Sequence, residues 1–197
     1  MQLPIFLRGH LIDLRLLDKE EDFEHCWTWI NDPDVWQFLV IDRPTSRSEE
    51  EEFFAKLRPD TMPFAMVTKE GVHVGNIGLN RISRTHGTAA TGTLIGVKEF
   101  WGRGYGTDAK MTLLRFAFDA LNLRKITSHV LAFNERSANY ARTCGYELEA
   151  VFREEMFKNG RYVDLLRFAV YRPQFEVAWE RYQERLRSRA QTVAGEE

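Results

Sequence analysis

Cysteine is nearly absent from this chain: Cys26 and Cys144 are the whole complement. Two thiols so far apart in sequence supply neither a disulfide framework nor the four ligands of a structural zinc site, and a reducing, cytoplasmic setting is expected. An excess of either charge is missing too. With 27 Lys+Arg against 29 Asp+Glu the net charge is −2, so no bulk positive field gathers nucleic acid, and none is expected as a partner. There is also no long apolar run. The first apolar stretch, Leu3 to Leu17, is broken by Arg8, His10, Asp13 and Arg15. That is neither the core of a signal peptide nor the ~20 apolar residues of a membrane span, so no membrane partner is expected. No repeat, Ser/Gly linker or low-complexity segment divides the sequence.

What is present suits one folded unit. A chain of 197 residues with 44% hydrophobic and 28% charged residues can bury a single core, here expected over residues 1–189 with a flexible tail at 190–197. A strand is predicted at Leu11–Leu16. Asp18 caps a helix to about Ile30, stopped by the turn run Asn31-Asp32-Pro33-Asp34. A second helix, Arg47 to Leu57, opens with Ser46 and Glu49 in capping-box spacing. Its glutamates 49–52 read as a solvated first turn favoured by the helix dipole, in preference to a cation patch. Strands near Phe64–Thr68, Val72–Ile82 and Thr88–Val97 read as an antiparallel meander. A helix follows, with Met111, Leu114, Phe118 and Leu121 at helical spacing. Lys125–Leu131 is a strand and Ser137–Thr143 a short helix stopped by Gly145. Phe152–Phe157 and Tyr162–Tyr171 flank Asn159-Gly160, a strong hairpin signal. The terminal helix carries the stripe Phe175, Trp179, Tyr182 and Leu186, which suits a core edge or a homodimer contact.

The segment that carries chemistry is Trp101-Gly-Arg-Gly-Tyr-Gly106. Alternating glycines between a strand and a helix let backbone N–H groups turn inward and hold an anion at the helix N-terminus. The loop lacks the Gly-Lys-Ser/Thr ending of a nucleoside-triphosphate site. It follows a meander instead of opening a strand-helix-strand unit, and no acidic residue stands where a dinucleotide fold needs one.

Together with other segments in the same order, this loop resembles the pyrophosphate loop of the GCN5-related N-acetyltransferase (GNAT) superfamily. Both family glycines match, while Trp101 stands where Gln or Arg is usual. The branch that is similar shows Trp29-Ile-Asn-Asp-Pro33, Leu121-Asn-Leu-Arg-Lys-Ile126, an Asn134-Glu-Arg-Ser137 helix ending in Gly145-Tyr146, and the hairpin Asn159-Gly-Arg-Tyr-Val-Asp164. It holds the ribosomal-protein N-terminal acetyltransferases and the spermidine acetyltransferases. The resemblance covers about Leu11 to Tyr171. It implies a single α/β domain, a mixed and mainly antiparallel sheet with helices on both faces, and acetyl-CoA as cosubstrate between two splayed strands. Pantetheine would pair with the backbone at Ile95, Gly96 and Val97, pyrophosphate with amides at Arg103, Gly104, Tyr105, Gly106 and Thr107, and Asn134 and Ser137 would face the pantetheine arm. Helix capping is an equal reading of Asn134 and Ser137.

The implied reaction is direct attack of a primary amine on the thioester. The amine must be neutral, which is easier for an α-amine with pKa ~8 than for a lysine-like amine at ~10.4. A protein or peptide N-terminus, which also suits the near-neutral charge and the ribosomal-protein-like motifs, is the leading acceptor; the alternatives are a polyamine, whose carboxylate-lined pocket would have to come from Asp32, Asp34 and Glu49 to Glu52, an amino sugar, or a non-catalytic acyl-CoA-binding module. Relatives use a tyrosine on the Asn134 helix to protonate the leaving thiolate, and counting puts Ala141 in its place. Tyr140 is adjacent but rotated by ~100° and is expected to pack. Ser137 as acid and Glu154 or Glu155 as base are the remaining candidates; Thr91 and Thr93 stand where some relatives carry a glutamate. Trp29, Asp32 and Trp36, with Trp27 and Phe38, are candidate walls of the acceptor pocket. No metal is expected, since His129 and His25 have no third ligand at a usable spacing.

Overall fold

The computed structural model describes residues 3–55 and 59–194. Its elements are β1 (Leu7–Arg8), β2 (Ile12–Leu16), α1 (Lys19–Asn31), α2 (Pro33–Trp36), α3 (Arg47–Ala55), β3 (Met62–Thr68), β4 (His73–Ser83), β5 (Thr88–Ile95), α4 (Tyr105–Asp119), β6 (Lys125–Leu131), α5 (Glu135–Thr143), β7 (Glu147–Lys158), β8 (Arg161–Tyr171) and α6 (Arg172–Ala194). One mixed α/β sheet has the order β1-β2-β3-β4-β5-β6-β8-β7. Among the described residues every ladder is antiparallel except β5–β6. The expected end of the second helix at Leu57 lies outside the described residues. So do residues 195–197, while α6 itself runs on through Ala194, past the tail boundary expected at 190.

Local chemistry sets most element ends. Asp18 caps α1 by accepting from the Glu20 and Glu21 amides at 2.9 and 3.1 Å. Ser46 and Glu49 exchange the reciprocal bonds of a capping box at α3, 2.9 Å from the Ser46 amide and 3.3 Å from the Glu49 amide. The run expected to be a plain turn does more. Asp32 ends α1, then caps α2, with Pro33 at its first position, where a missing N–H costs nothing. Asn159 and Gly160, both at positive φ (52° and 77°), make the two-residue turn between β7 and β8.

Alternation along the strands separates the two faces. Ile77, Leu79, Ile126, Val130, Phe168 and Val170 join the main core under α4, α5 and α6. The opposite face of β4, with Asn76, Gly78 and Asn80, turns toward α1, where Asn76 Nδ2 donates to Cys26 Sγ at 3.0 Å. Phe23, Cys26 and Phe54 form a smaller cluster there. Phe175 and Tyr182 are buried in the chain's own core, with Trp179 and Leu186 packed against it. The stripe that suggested a homodimer is thus covered from within.

Two buried carboxylates hold the layers. Asp108 of α4 accepts from the amides of His10 (3.0 Å), Leu11 (2.7 Å) and Ile12 (2.8 Å) and from the Tyr182 hydroxyl. Gly9 is required beside it, because a Cβ there would meet Asp108 Oδ2 at 2.5 Å. Asp22 of α1 takes both guanidinium nitrogens of Arg15 at 2.6 and 2.7 Å and the Asp18 amide at 2.9 Å, and lies 3.0 Å from His73 Nδ1. Burial alone would push the Asp22 carboxyl up, but the hydrogen bonds from Arg15 and His73 outweigh it and hold the group far below the usual carboxylate range. Replacing Asp22 by Asn strands the Arg15 charge, and a loss of about 3–5 kcal/mol in urea unfolding at pH 7 is expected. Because the folded pKa is the lower one, this contribution is complete above ~pH 4 and fades as the pH falls further, so parent and variant should converge in acid.

Candidate active site

β5 and β6 pair only at Thr88, Ala89 and Ala90 against Lys125, Ile126 and Thr127. Beyond that, β6 stays on β8 through Leu131 and β5 stays on β4 through Ile95. Each strand follows its outer neighbour, and the two part. A cleft of about 1050 Å³ runs through the gap, bordered by Gly92 and Thr93 on β5, Ser128 and His129 on β6, and the ends of α4 and α5.

On the α4 side the glycines do what their spacing promised. Gly102 and Gly104 sit at φ 72° and 93°, and Gly104 is the N-cap of α4, contributing no side chain. The first-turn amides of Tyr105, Gly106 and Thr107 therefore have no intrahelical acceptor and lie at the positive end of the helix dipole. Gly102, Gly104, Gly106 and Thr107 line the cleft. Arg103 is exposed, its guanidinium 3.3 Å from Glu99 O, and the Tyr105 ring meets Phe100 edge-on. Trp101 ties the loop to the end of β5, its indole N–H donating to Ile95 O at 2.7 Å. Arg136, which sequence reasoning missed, lies over the Trp101 ring at 4.3 Å and lines the cleft.

The backbone expected to pair with pantetheine is partly engaged already. Gly96 and Val97 both donate to Val74 O, at 3.0 and 3.2 Å, and Ile95 O is taken by Trp101. The stretch of β5 without a β6 partner begins further back, at Thr91.

On α5, Asn134 is the N-cap, its Oδ1 accepting from the Ser137 amide at 3.1 Å, and both residues line the cleft. Capping and cleft exposure coexist. Tyr140 packs against the core, as expected, and also borders the cleft. Ala138 and Ala141, three apart, are buried in the core, which leaves Ser137 and Tyr140, also three apart, facing the cleft. The Tyr140 hydroxyl pairs with Thr93 Oγ1 at 3.1 Å, and Thr91 Oγ1 pairs with the Tyr146 hydroxyl at 2.9 Å. Burial pushes the Tyr140 phenol well above its ordinary pKa, so it stays protonated. Beneath both rings lies Lys110 Nζ, 5.5 and 5.8 Å from their centroids, on a residue only 2% exposed. Burial lowers its pKa to about 8. In the sequence its mark is a lysine on the apolar stripe of α4, in line with Leu113, Leu114 and Ala117.

Across the sheet, the segment after α2 brings Phe38, Leu39 and Ile41 to the cleft, with Glu50 of α3 and Glu155 of β7. Of the candidate acceptor walls, Phe38 is there, but Trp29, Asp32 and Trp36 are not among the lining residues. Trp29 packs over Gly96, where any Cβ would run into its ring. Asp32 is held by α2 and by Lys98 at 3.0 Å, and Trp36 lies 3.7 Å under Lys158 Nζ. The Trp29–Pro33 motif is a scaffold: Asn31 brackets Thr45 through both its backbone groups at 2.9 Å and so fixes the loop that carries Phe38 to Ile41. Glu154 sits in a bulge at φ 50°, its amide donating to Asp164 at 2.9 Å, away from the cleft; Glu155 beside it points in. His129 also borders the gap, and burial, with Arg167 and Arg81 nearby, lowers its pKa so that the ring is neutral. Burial pushes the Cys26 thiol up to about 12, which leaves it no nucleophile. Among the described residues no helix is long and apolar enough to cross a membrane.

The same architecture occurs in known proteins. A crystal structure of spermidine N-acetyltransferase from Vibrio cholerae, in complex with CoA and spermine, superposes with a TM-score of 0.78 at 25% identity, covering 84% of this chain and 98% of that one. Spermidine N(1)-acetyltransferase of Escherichia coli (strain K12) is 25% identical over 168 residues, 85% of this chain and 89% of that protein. The uncharacterized N-acetyltransferase p20 of Bacillus licheniformis is 25% identical over 170 residues, 83% and 94% of the two chains. The family model described as an acetyltransferase (GNAT) domain matches residues 12–147, and with the glycine-opened helix beside a parted pair of strands, this chain belongs to the GNAT acetyltransferases.

Proposed function

We propose that this enzyme transfers the acetyl group of acetyl-CoA to the primary amine of a small molecule by direct attack in the gap between β5 and β6. The observation that carries the reading is the continuity of one cleft from the α4 N-terminus, through the sheet, to the α1–α3 side. An anionic cosubstrate and an amine can enter from opposite faces and meet where the strands part. Acetyl-CoA supplies the activated acetyl group; the chain's residues do the rest. Amides of the first turn of α4 bind pyrophosphate. Tyr140, kept protonated, offers a proton to the departing sulfur from the α5 side. His129, a neutral imidazole at the gap, accepts the proton of the attacking amine, and Glu155 is the second basic group there. The enclosing segment Phe38–Ile41 and the relatives that acetylate spermidine favour a small amine over the peptide N-terminus expected from the sequence; a panel of both separates them by thiol release. If no amine in the panel releases thiol, from a protein that still binds CoA, the chain is a binding module instead.

Gly104→Val forces a β-branched residue into the left-handed region and turns the loop amides away. CoA affinity by calorimetry should fall at least about tenfold, ~1.4 kcal/mol, in a folded variant. Tyr140→Phe should lower kcat by ~100-fold with the KM for acetyl-CoA nearly unchanged, while Ser137→Ala stays within a few-fold; the reverse order would transfer the acid role to Ser137. Since His129 works as the neutral form, kcat/KM should fall with decreasing pH along a limb below the usual ~6.5, and that limb should vanish in His129→Asn.

A further inference from the structure

The four glutamates that open α3 do not share one fate. Glu49 is engaged by Arg43 and Ser46, and Glu51 by Arg47 at 3.7 Å. Glu50 turns the other way, onto the face of Phe54, one helical turn on. It is 6% exposed and lines the cleft. Among the described residues its carboxylate has no hydrogen-bond or ion-pair partner, and burial alone raises its pKa. The surrounding acids are compensated: Asp22 by Arg15, Glu24 by Arg47, Asp32 and Asp34 by Lys98. Glu50 thus opens only onto the cleft, and a carboxylate so little exposed is best satisfied by a ligand there that supplies the counter-charge.

Its place says which ligand. Glu50 stands on the α1–α3 side of the sheet with Cys26 and Asn76, opposite the glycine loop, and a negative group there would repel an anionic cosubstrate. Apolar side chains, among them Leu17, Ile30, Phe53 and Pro63, line the same cleft and suit a methylene chain. Resting on the acetyltransferase reading, we propose that Glu50 is an ammonium subsite for an aliphatic diamine, which it holds by one nitrogen while the other nitrogen reaches the gap between β5 and β6. Charge counting then sets a limit. A diamine with one neutral, reacting nitrogen keeps one positive charge, and one buried carboxylate matches it. A triamine such as spermidine keeps two. The second would meet only Glu155, exposed and screened by water, in a cleft that Arg81 and Arg136 also line. This chain should therefore favour diamines over spermidine, unlike the relatives named for that substrate.

The test is thiol release from acetyl-CoA with diaminobutane against butylamine, diaminohexane against hexylamine, and spermidine, for the parent and for Glu50→Gln and Glu50→Asp. The parent should prefer at least one diamine over its monoamine by about tenfold or more in kcat/KM, the scale of one charge pair. Glu50→Gln should erase that preference through KM and leave the monoamine unchanged, Glu50→Asp should restore part of it, and spermidine should fall below the better diamine. A preference that survives in Glu50→Gln, an equal loss for the monoamine, or spermidine ahead of both diamines overturns the proposal. Glu50→Gln keeps the side-chain shape and removes a buried charge, so it should melt no lower than the parent. If no amine releases thiol, the acetyltransferase reading fails by itself; calorimetric binding of diaminohexane, weakened in Glu50→Gln or not, still decides the subsite.

Discussion

A strand can hold only two neighbours, and in this sheet β5 and β6 are each committed to an outer one. β4 keeps β5 to Ile95, and β8 keeps β6 to Leu131. Their shared parallel ladder ends after Ala90 and Thr127. Everything chemical follows from that short ladder. It leaves polar backbone on β5 without a strand to satisfy it, next to a helix whose glycine cap leaves its first amides free. Backbone groups in this condition need a partner, and the cleft is where a ligand can be one.

The two faces of the sheet are electrically distinct. Under it lie the N-terminus of α4, Lys110 and the protonated Tyr140; above it lie Glu50 and a neutral His129. On the proposed reading, an anion would be drawn to one face and an amine to the other. Lys110 shows that the sorting has a cost: burial lowers its pKa to about 8, and its ammonium lies against the Tyr140 and Tyr146 rings at the edge of the cleft.

What could be read in advance was what short-range chemistry determines. The capping box at Ser46, the Asn159-Gly160 turn, the Gly145 stop and the glycine loop depend on a few neighbouring residues, and each stands where the sequence put it. Residues whose role depends on how a helix docks were harder. Tyr140 and Ala141 are one position apart on a nine-residue helix, and only the packing of Ala138 and Ala141 on the core decides which faces the gap. Trp29, Trp36 and Asp32 looked like walls because aromatic and acidic residues often are. Gly96, Lys158 and Lys98, all distant in sequence, drew them elsewhere. The run Glu49–Glu52 offers carboxylates for a polyamine in the sequence, but which one turns inward depends on the docking of α3, where Glu50 shares the buried face of Phe54.

The Asp108 carboxylate links the amides of residues 10–12, the helix of the glycine loop and the hydroxyl of Tyr182. Neither the segment of residues 10–12 nor α6 at Tyr182 can part from α4 without baring a buried negative charge. Local opening of either segment is therefore tied to opening of the centre. The amides of His10 to Ile12 are thereby bonded to the same helix that the glycine loop opens, so the loop is braced by the core rather than by its own few contacts.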